Sequence, residues 1–186
     1  MKKILFAAML LFASTSFAQH AIGSLTIQPK VGLNIANITK IDNIDPRWSG
    51  VVGAEFEYQA TDMFSISAGA LYSMQGAKDN GTTAKLDYIN VPILANVYVA
   101  KGLAIKLGIQ PGFNVNSKLS GSEGNFSYSS SFDAKTLDLS IPVGISYEYN
   151  NFVVDGRYNL GVTKIVDGSD AKNSVFQVTL GYKFEL

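Results

Sequence analysis

Charged side chains recur at alternate positions within apolar segments of this 186-residue chain. Carboxylates and amines so placed could perform acid–base chemistry, bind a metal ion, or pair with one another inside the protein. Because alternate residues of a β-strand share one face, these charges lie opposite the apolar side chains. The residues at these positions are Lys30, Glu55, Glu57, Lys106, Asp138, Glu148, Asp155, Arg157, Lys183 and Glu185.

Catalytic and metal chemistry find little support in the residue types. His20 is the only histidine, so no Ser-His-Asp triad and no His-based metal site can form elsewhere in the chain. Acidic pairs occur at Asp42/Asp45 and Asp167/Asp170, but neither offers the roughly six to eight oxygen ligands of a calcium site. We therefore predict a protein that is not an enzyme, with no catalytic residues, no metal and no cofactor.

Eight segments alternate between apolar and polar residues, and this period of two predicts strands rather than helices. In the clearest of them, Leu103, Ile105 and Leu107 oppose Lys106 and Gln110. The predicted strands are Leu25–Ile38, Ser49–Gln59, Phe64–Gln75, Lys85–Ala100, Leu103–Val115, Leu137–Tyr149, Phe152–Ile165 and Val175–Leu186.

The connections between these segments alternate between long and short. This alternation predicts an antiparallel up-and-down meander with both termini at the end of the short turns, and outer-membrane barrels show the same asymmetry. The long connections are residues 39–47, 76–84, 116–135 and 166–173, and the short turns are residues 60–62, 100–102 and 150–151.

The first residues are typical of an export signal. Lys2 and Lys3 precede a short apolar run, and Ser16-Phe17-Ala18 fits a cleavage site. The alternative, an N-terminal anchor, needs about 20 apolar residues, more than the run offers. We predict a signal peptide at residues 1–18 and one domain at 19–186. Loss of Lys2 and Lys3 leaves 13 basic and 15 acidic residues, a net charge of −2, with no basic patch for nucleic acid.

These patterns predict an all-β fold, an eight-stranded antiparallel up-and-down transmembrane β-barrel, preceded by a cleaved signal peptide. Tilted strands of this length can cross a hydrocarbon core of ~30 Å, with apolar side chains toward lipid and the ten charges in the lumen. A barrel this small holds little more than side chains, which favours a salt-bridged plug. A small-solute or ion pathway remains an alternative. A secreted soluble lipocalin-like barrel, a third, requires the opposite polarity of its two faces.

Aromatic residues and one long connection add two predictions. Tyrosines and Phe184 near the strand ends predict girdles at the two membrane interfaces. Serine-rich residues 116–135, with Phe126, Tyr128 and Phe132, suit either a hairpin beyond the membrane or a recognition surface. Deleting residues 119–131 would leave partner binding unchanged if only the first holds. The aromatic set is Tyr58, Tyr72, Tyr98, Tyr147, Tyr149, Tyr158, Tyr182 and Phe184.

Several short motifs resemble those of PorT-like outer-membrane β-barrel proteins. The resemblance implies an outer-membrane location in a Gram-negative envelope, reached by export through the inner membrane. It also implies contact with the lipid bilayer and with envelope or secretion-system proteins, and no catalytic residues. The chain ends in Glu185-Leu186, unlike the terminal Phe of many such barrels. The motifs are Pro29–Asn34, Asn90–Ile93, Arg157–Thr163 and Leu180–Phe184.

Overall fold

The computed structural model describes most of the chain beyond the predicted signal segment. The described residues are 20–40, 44–79, 82–123, 126–131, 134–166, 168 and 170–186. The predicted signal peptide, together with Asp42, Phe132 and Asp167, therefore lies outside them. Within these ranges there is no helix with the length and hydropathy that a membrane crossing requires.

The described chain is built from antiparallel strands. The predicted alternation is present in each long strand, where buried and exposed residues follow one another. The strands are β1 (Leu25–Thr39), β2 (Asp45–Thr61), β3 (Phe64–Asp79), β4 (Thr82–Asn90), β5 (Ile93–Ala100), β6 (Leu103–Glu123), β7 (Phe126–Ser131), β8 (Leu137–Tyr149), β9 (Phe152–Gly161), β10 (Lys172–Tyr182) and β11 (Phe184–Glu185).

Neighbouring strands pair in chain order, and the ring closes when β10 pairs with β1 along ten residue pairs from Lys30↔Gly181 to Thr39↔Lys172. Strands β4 and β5 occupy one position in the ring, as do β10 and β11, while β7 folds back on β6 outside it. Eight strand positions therefore form a closed barrel, and the predicted eight-stranded antiparallel barrel is confirmed.

The fourth predicted strand is interrupted at Val91 and Pro92, although both halves keep one register against β3 and β6. The carbonyl of Pro92 still accepts a hydrogen bond from the Gly69 amide at 3.1 Å. Pro92 has no N–H to return that bond, which explains the break.

The short turns lie at one end, which we call the short-turn end. Asn150 and Asn151 have φ of 47° and 70°, as a two-residue hairpin turn requires, and Gly102 has φ of 75°. At the opposite, long-loop end most strands extend further than predicted: β2 begins at Asp45, and β6 runs to Glu123 before the β6–β7 hairpin. The seventh predicted strand is shorter than predicted, because β9 ends at Gly161 rather than at Ile165. The Ser- and Thr-rich ends of β4 and β6 lack the alternation of apolar residues that predicts a strand, yet they form ladders with the adjacent strands.

The outer surface of the barrel is apolar. Leucine, isoleucine, valine and aromatic side chains on every ring strand are exposed, while nine of the ten predicted interior charges are buried. Tyr58 and Tyr149 are exposed at the short-turn end, where Tyr182 packs against Phe152 with ring centroids 5.0 Å apart. Tyr98 departs from the predicted girdle, because its side chain faces inward and is buried.

Candidate functional site

Five buried charged residues meet in the barrel interior and form what we call the central network. Arg157 reaches Glu55 at 3.0 Å through Nη1 and Asp155 at 2.8 Å through Nε. Lys30 contacts the other oxygen of Glu55 at 2.7 Å, and Lys106 contacts Asp155 at 2.8 Å. The network thus joins strands β1, β2, β6 and β9, and each carboxylate is held by two cations.

A second group, the end cluster, lies nearer the short-turn end. Lys183 contacts Glu57 at 3.0 Å and Glu148 at 2.8 Å, and Glu148 also contacts His20 Nε2 at 2.8 Å. The hydroxyl of Tyr98 donates a hydrogen bond to Glu57. The central network has one more cation than carboxylates, and the end cluster has one fewer cation than carboxylates if His20 is neutral. Together they balance, as buried charges require.

Glycines provide the room for the two central side chains. Gly69 lies opposite Glu55 in the β2–β3 ladder, and Gly144 lies opposite Arg157 in the β8–β9 ladder. A Cβ added at Gly69 would lie 2.6 Å from Glu55 Cγ, and one added at Gly144 would lie 2.7 Å from Arg157 Cβ. Either contact would force the ladder apart, so these glycines are needed to place the charges.

Uncharged amides occupy the interior beside and beyond the central network. Gln177 lies opposite Arg157 in the β9–β10 ladder, and Asn159 lies one inward position further along β9. Both are buried, and no described protein group hydrogen-bonds either end of their amides. Groups of this kind normally bind ordered water. The interior directly beside and beyond the central network therefore contains polar, uncharged side chains.

An apolar cluster, which we call the apolar cap, lies inside the barrel toward the long-loop end. Leu86 and Tyr88 of β4 project inward and pack with Ile165 and Ala171 of the β9–β10 connection. The connection is folded in place by an Ile165 N–H to Ala171 carbonyl hydrogen bond of 3.0 Å. The cap consists of Ile38, Ala77, Leu86, Tyr88, Ile165 and Ala171, with Ile44, Ala134 and Val166 packed against it.

The β9–β10 connection is also tethered at the surface. Asp170 lies 2.7 Å from Lys164 and 4.0 Å from Lys40 at the end of β1. The hydrogen bond and charge of Lys164 lower the pKa of the Asp170 carboxyl from its usual value. This ion pair is exposed to solvent, whereas the ion pairs inside the barrel are buried.

Eight of the ten sequence-predicted residues belong to the two charged groups. Asp138 is buried but lies apart, accepting a hydrogen bond from Thr163 at 2.7 Å. Glu185 differs from the prediction: it has the inward parity, but the barrel ends there and its side chain is exposed. Sequence reasoning missed Tyr98 and the cap, although apolar residues in supposedly polar connections were a usable signal.

The charged side chains of the central network and the end cluster pair with side chains of opposite charge. Among the described residues, no group of three or more His, Cys, Asp or Glu side chains could hold a metal ion. Every charge of the central network contacts an opposite charge, and none of the five is accessible to solvent at either mouth. In this arrangement the charges of the central network neutralise one another.

Comparison with known proteins agrees with this architecture. The family described as outer membrane protein beta-barrel domain matches residues 17–167. No curated protein shows a significant match.

Solved structures share the fold at low sequence identity. The attachment invasion locus protein Ail of Yersinia pestis, in complex with the heparin analogue sucrose octasulfate, is 16% identical with a TM-score of 0.55. That alignment covers 88% of this chain and 100% of Ail. Neisserial surface protein A is 15% identical with a TM-score of 0.53, covering 86% of this chain and 97% of that protein.

Proposed function

The chain belongs to the outer membrane protein beta-barrel domain family, and we propose that it is a closed, non-enzymatic barrel that serves as a structural or interaction component of the envelope. It is an outer-membrane protein, and its exposed apolar surface contacts the lipid bilayer. The single observation that supports closure is the filled interior, with charged groups toward the short-turn end and the apolar cap at the long-loop end.

Paired charges toward one end of the interior and packed apolar side chains at the other both argue against a pathway for ions or solutes. An ion entering at the short-turn end would meet side chains already paired at 2.7–3.0 Å. A solute entering at the long-loop end would have to displace packed apolar side chains. The soluble lipocalin-like alternative is wrong, because the apolar face is outside and the charges are inside.

We further propose that the long-loop end faces the cell exterior and that the termini lie on the periplasmic side, as is usual for such barrels. The β6–β7 hairpin then extends outward from the membrane, where it can meet a partner. We also propose that the chain belongs to the PorT-like group and that it contacts envelope or secretion-system proteins. The binding role of residues 116–135 stays a prediction.

Solute uptake tests the proposed closure. Proteoliposomes containing the folded protein are expected to swell no faster in solutions of small sugars than liposomes without protein. The measurement is light scattering after transfer into the sugar, with a general porin as positive control. Swelling that depends on the amount of folded barrel and falls with sugar size would contradict the proposal and favour the solute pathway.

A further inference from the structure

Three lysines share the outward face of the sheet where it extends beyond the barrel at the long-loop end. Lys85 of β4 lies directly opposite Lys118 of β6. On the other side of β4, Lys85 pairs with Gly76 of β3, and Lys78 lies two residues after Gly76 on that strand. The neighbours Ala77 and Leu86 point inward and are buried, so Lys78 and Lys85 point outward. We call this set the lysine patch.

The height of the patch places it beside the lipid headgroups. On the outward face of β6 the exposed apolar residues run from Ile105 to Val115, whereas Leu119, which is also exposed, has the inward parity. Ten residue steps cover about 33 Å along a strand, or roughly 25 Å along the membrane normal at a tilt of about 40°. Lys118 lies three residues further, about 8 Å beyond this band by the same conversion. The headgroup region is itself roughly 5–8 Å thick on each side.

The patch has an unbalanced charge. Like charges directly opposite each other destabilise a sheet unless an anion lies between them, and Lys85 and Lys118 are such a pair. Among the described residues, no carboxylate forms an ion pair with any of the three lysines. The nearby Asp87 carboxylate instead accepts hydrogen bonds from Tyr72 at 3.3 Å and from Asn116 at 2.8 Å. Asp45 lies opposite Lys78 in the β2–β3 ladder but forms no ion pair with it.

The opposite end of the barrel offers a contrast. On the outer surface at the short-turn end, Lys101 is the only lysine or arginine that the described ranges contain. Cationic side chains thus gather at one membrane interface, and there they face outward rather than into the lumen. Attraction of basic clusters to anionic lipid follows from the same electrostatics in other membrane proteins.

We propose that Lys78, Lys85 and Lys118 bind the phosphate group of a lipid headgroup in the leaflet at the long-loop end. The patch begins where the apolar band ends, so a lipid whose acyl chains lie against Ile89 and Phe113 has its phosphate at the height of the ammonium groups. A lipid is favoured over a soluble anion because one molecule can contact both surfaces at once. The proposal rests on membrane insertion and holds whether or not the lumen is closed.

Binding to a labelled lipid tests this assignment. The full folded protein in neutral detergent micelles is titrated with a dansyl-labelled, bis-phosphorylated glucosamine lipid, and energy transfer is read from Trp48. This residue is the only tryptophan and is exposed at the same end. The triple variant Lys78→Gln, Lys85→Gln and Lys118→Gln is expected to bind on the order of 100-fold more weakly, and Lys118→Gln alone about fivefold more weakly.

The matched control removes the same number of charges elsewhere, with Lys40→Gln, Lys101→Gln and Lys164→Gln, and should bind like the wild type. Heat-modifiable gel migration verifies folding, and the single variant keeps the test valid if the triple variant does not fold. Equal binding by the triple variant and the wild type would overturn the proposal. So would equal binding of the dephosphorylated lipid, displacement by inorganic phosphate at matching concentrations, or preferential binding of a sulfated polysaccharide that the triple variant loses.

Discussion

Replacing Glu55 with glutamine is expected to lower the free energy of unfolding by about 3–5 kcal/mol, the range seen when one partner of a buried ion pair is removed. The change keeps the shape of the side chain but leaves Lys30 without its carboxylate, and Lys30 is fully buried. It also leaves Asp155 as the only carboxylate in the central network, against the three cations Lys30, Lys106 and Arg157. Urea unfolding in detergent micelles, followed by gel migration, measures the loss.

Two controls distinguish a buried network from general sensitivity to mutation. The double variant Lys30→Met/Glu55→Gln removes both charges of one pair and should recover more than half of the lost stability, since no unpaired ammonium remains. The exposed pair of Lys164 and Asp170 is the surface reference, and Lys164→Met should change stability little. Loss of equal size in Lys164→Met and Glu55→Gln would contradict the central network as described.

Replacing Leu86 with alanine is expected to cost about 2–5 kcal/mol, as for other fully buried leucines. Leu86 is completely buried within the apolar cap, between Tyr88 and residues of the β9–β10 connection. The cavity left there would be dry and bounded by packed side chains, so neighbouring groups could close it only in part. The same urea titration measures the effect.

Leu107 supplies the matched control on the other face of the barrel. Its side chain is 54% exposed within the apolar outer surface, and lipid chains can fill the space that Leu107→Ala leaves. The loss should therefore be less than half of that for Leu86→Ala. If Leu86→Ala were as mild as Leu107→Ala, the cap would not be the packed apolar cluster described here, and the proposed closure would lose its support at the long-loop end.

Alternation alone was sufficient to predict the barrel and most of its charged interior. The period of two assigned each residue to a face, and closure followed from the even number of strands and the apolar exterior. Parity carries no information about height along the barrel. It therefore grouped Glu185 with Lys183, although the barrel wall has ended at Glu185, and it grouped Asp138 with charges that it does not contact.

The apolar cap could not be derived from strand periodicity, because five of its nine residues lie in connections between strands. Ile165 is the predicted end of a strand, and Ala171 lies in the polar connection of residues 166–173. Only the folded path of the chain between β9 and β10 brings both residues to Leu86 and Tyr88. Strand periodicity also could not predict which charges pair with each other within the central network. Gly69 and Gly144 show why Glu55 and Arg157 can occupy the crowded centre, but their significance depends on a register that is fixed only by the complete ring.

Electrical recording in planar bilayers tests the closed barrel most directly. The wild-type protein, folded and shown to be inserted by heat-modifiable migration, is expected to give no steady, well-resolved channel events in salt solution. This follows from the proposed closure, in which the charges of the central network are paired with one another and the apolar cap packs at the long-loop end. Steady channels of uniform conductance that appear with the folded protein and disappear after heat denaturation would contradict the account.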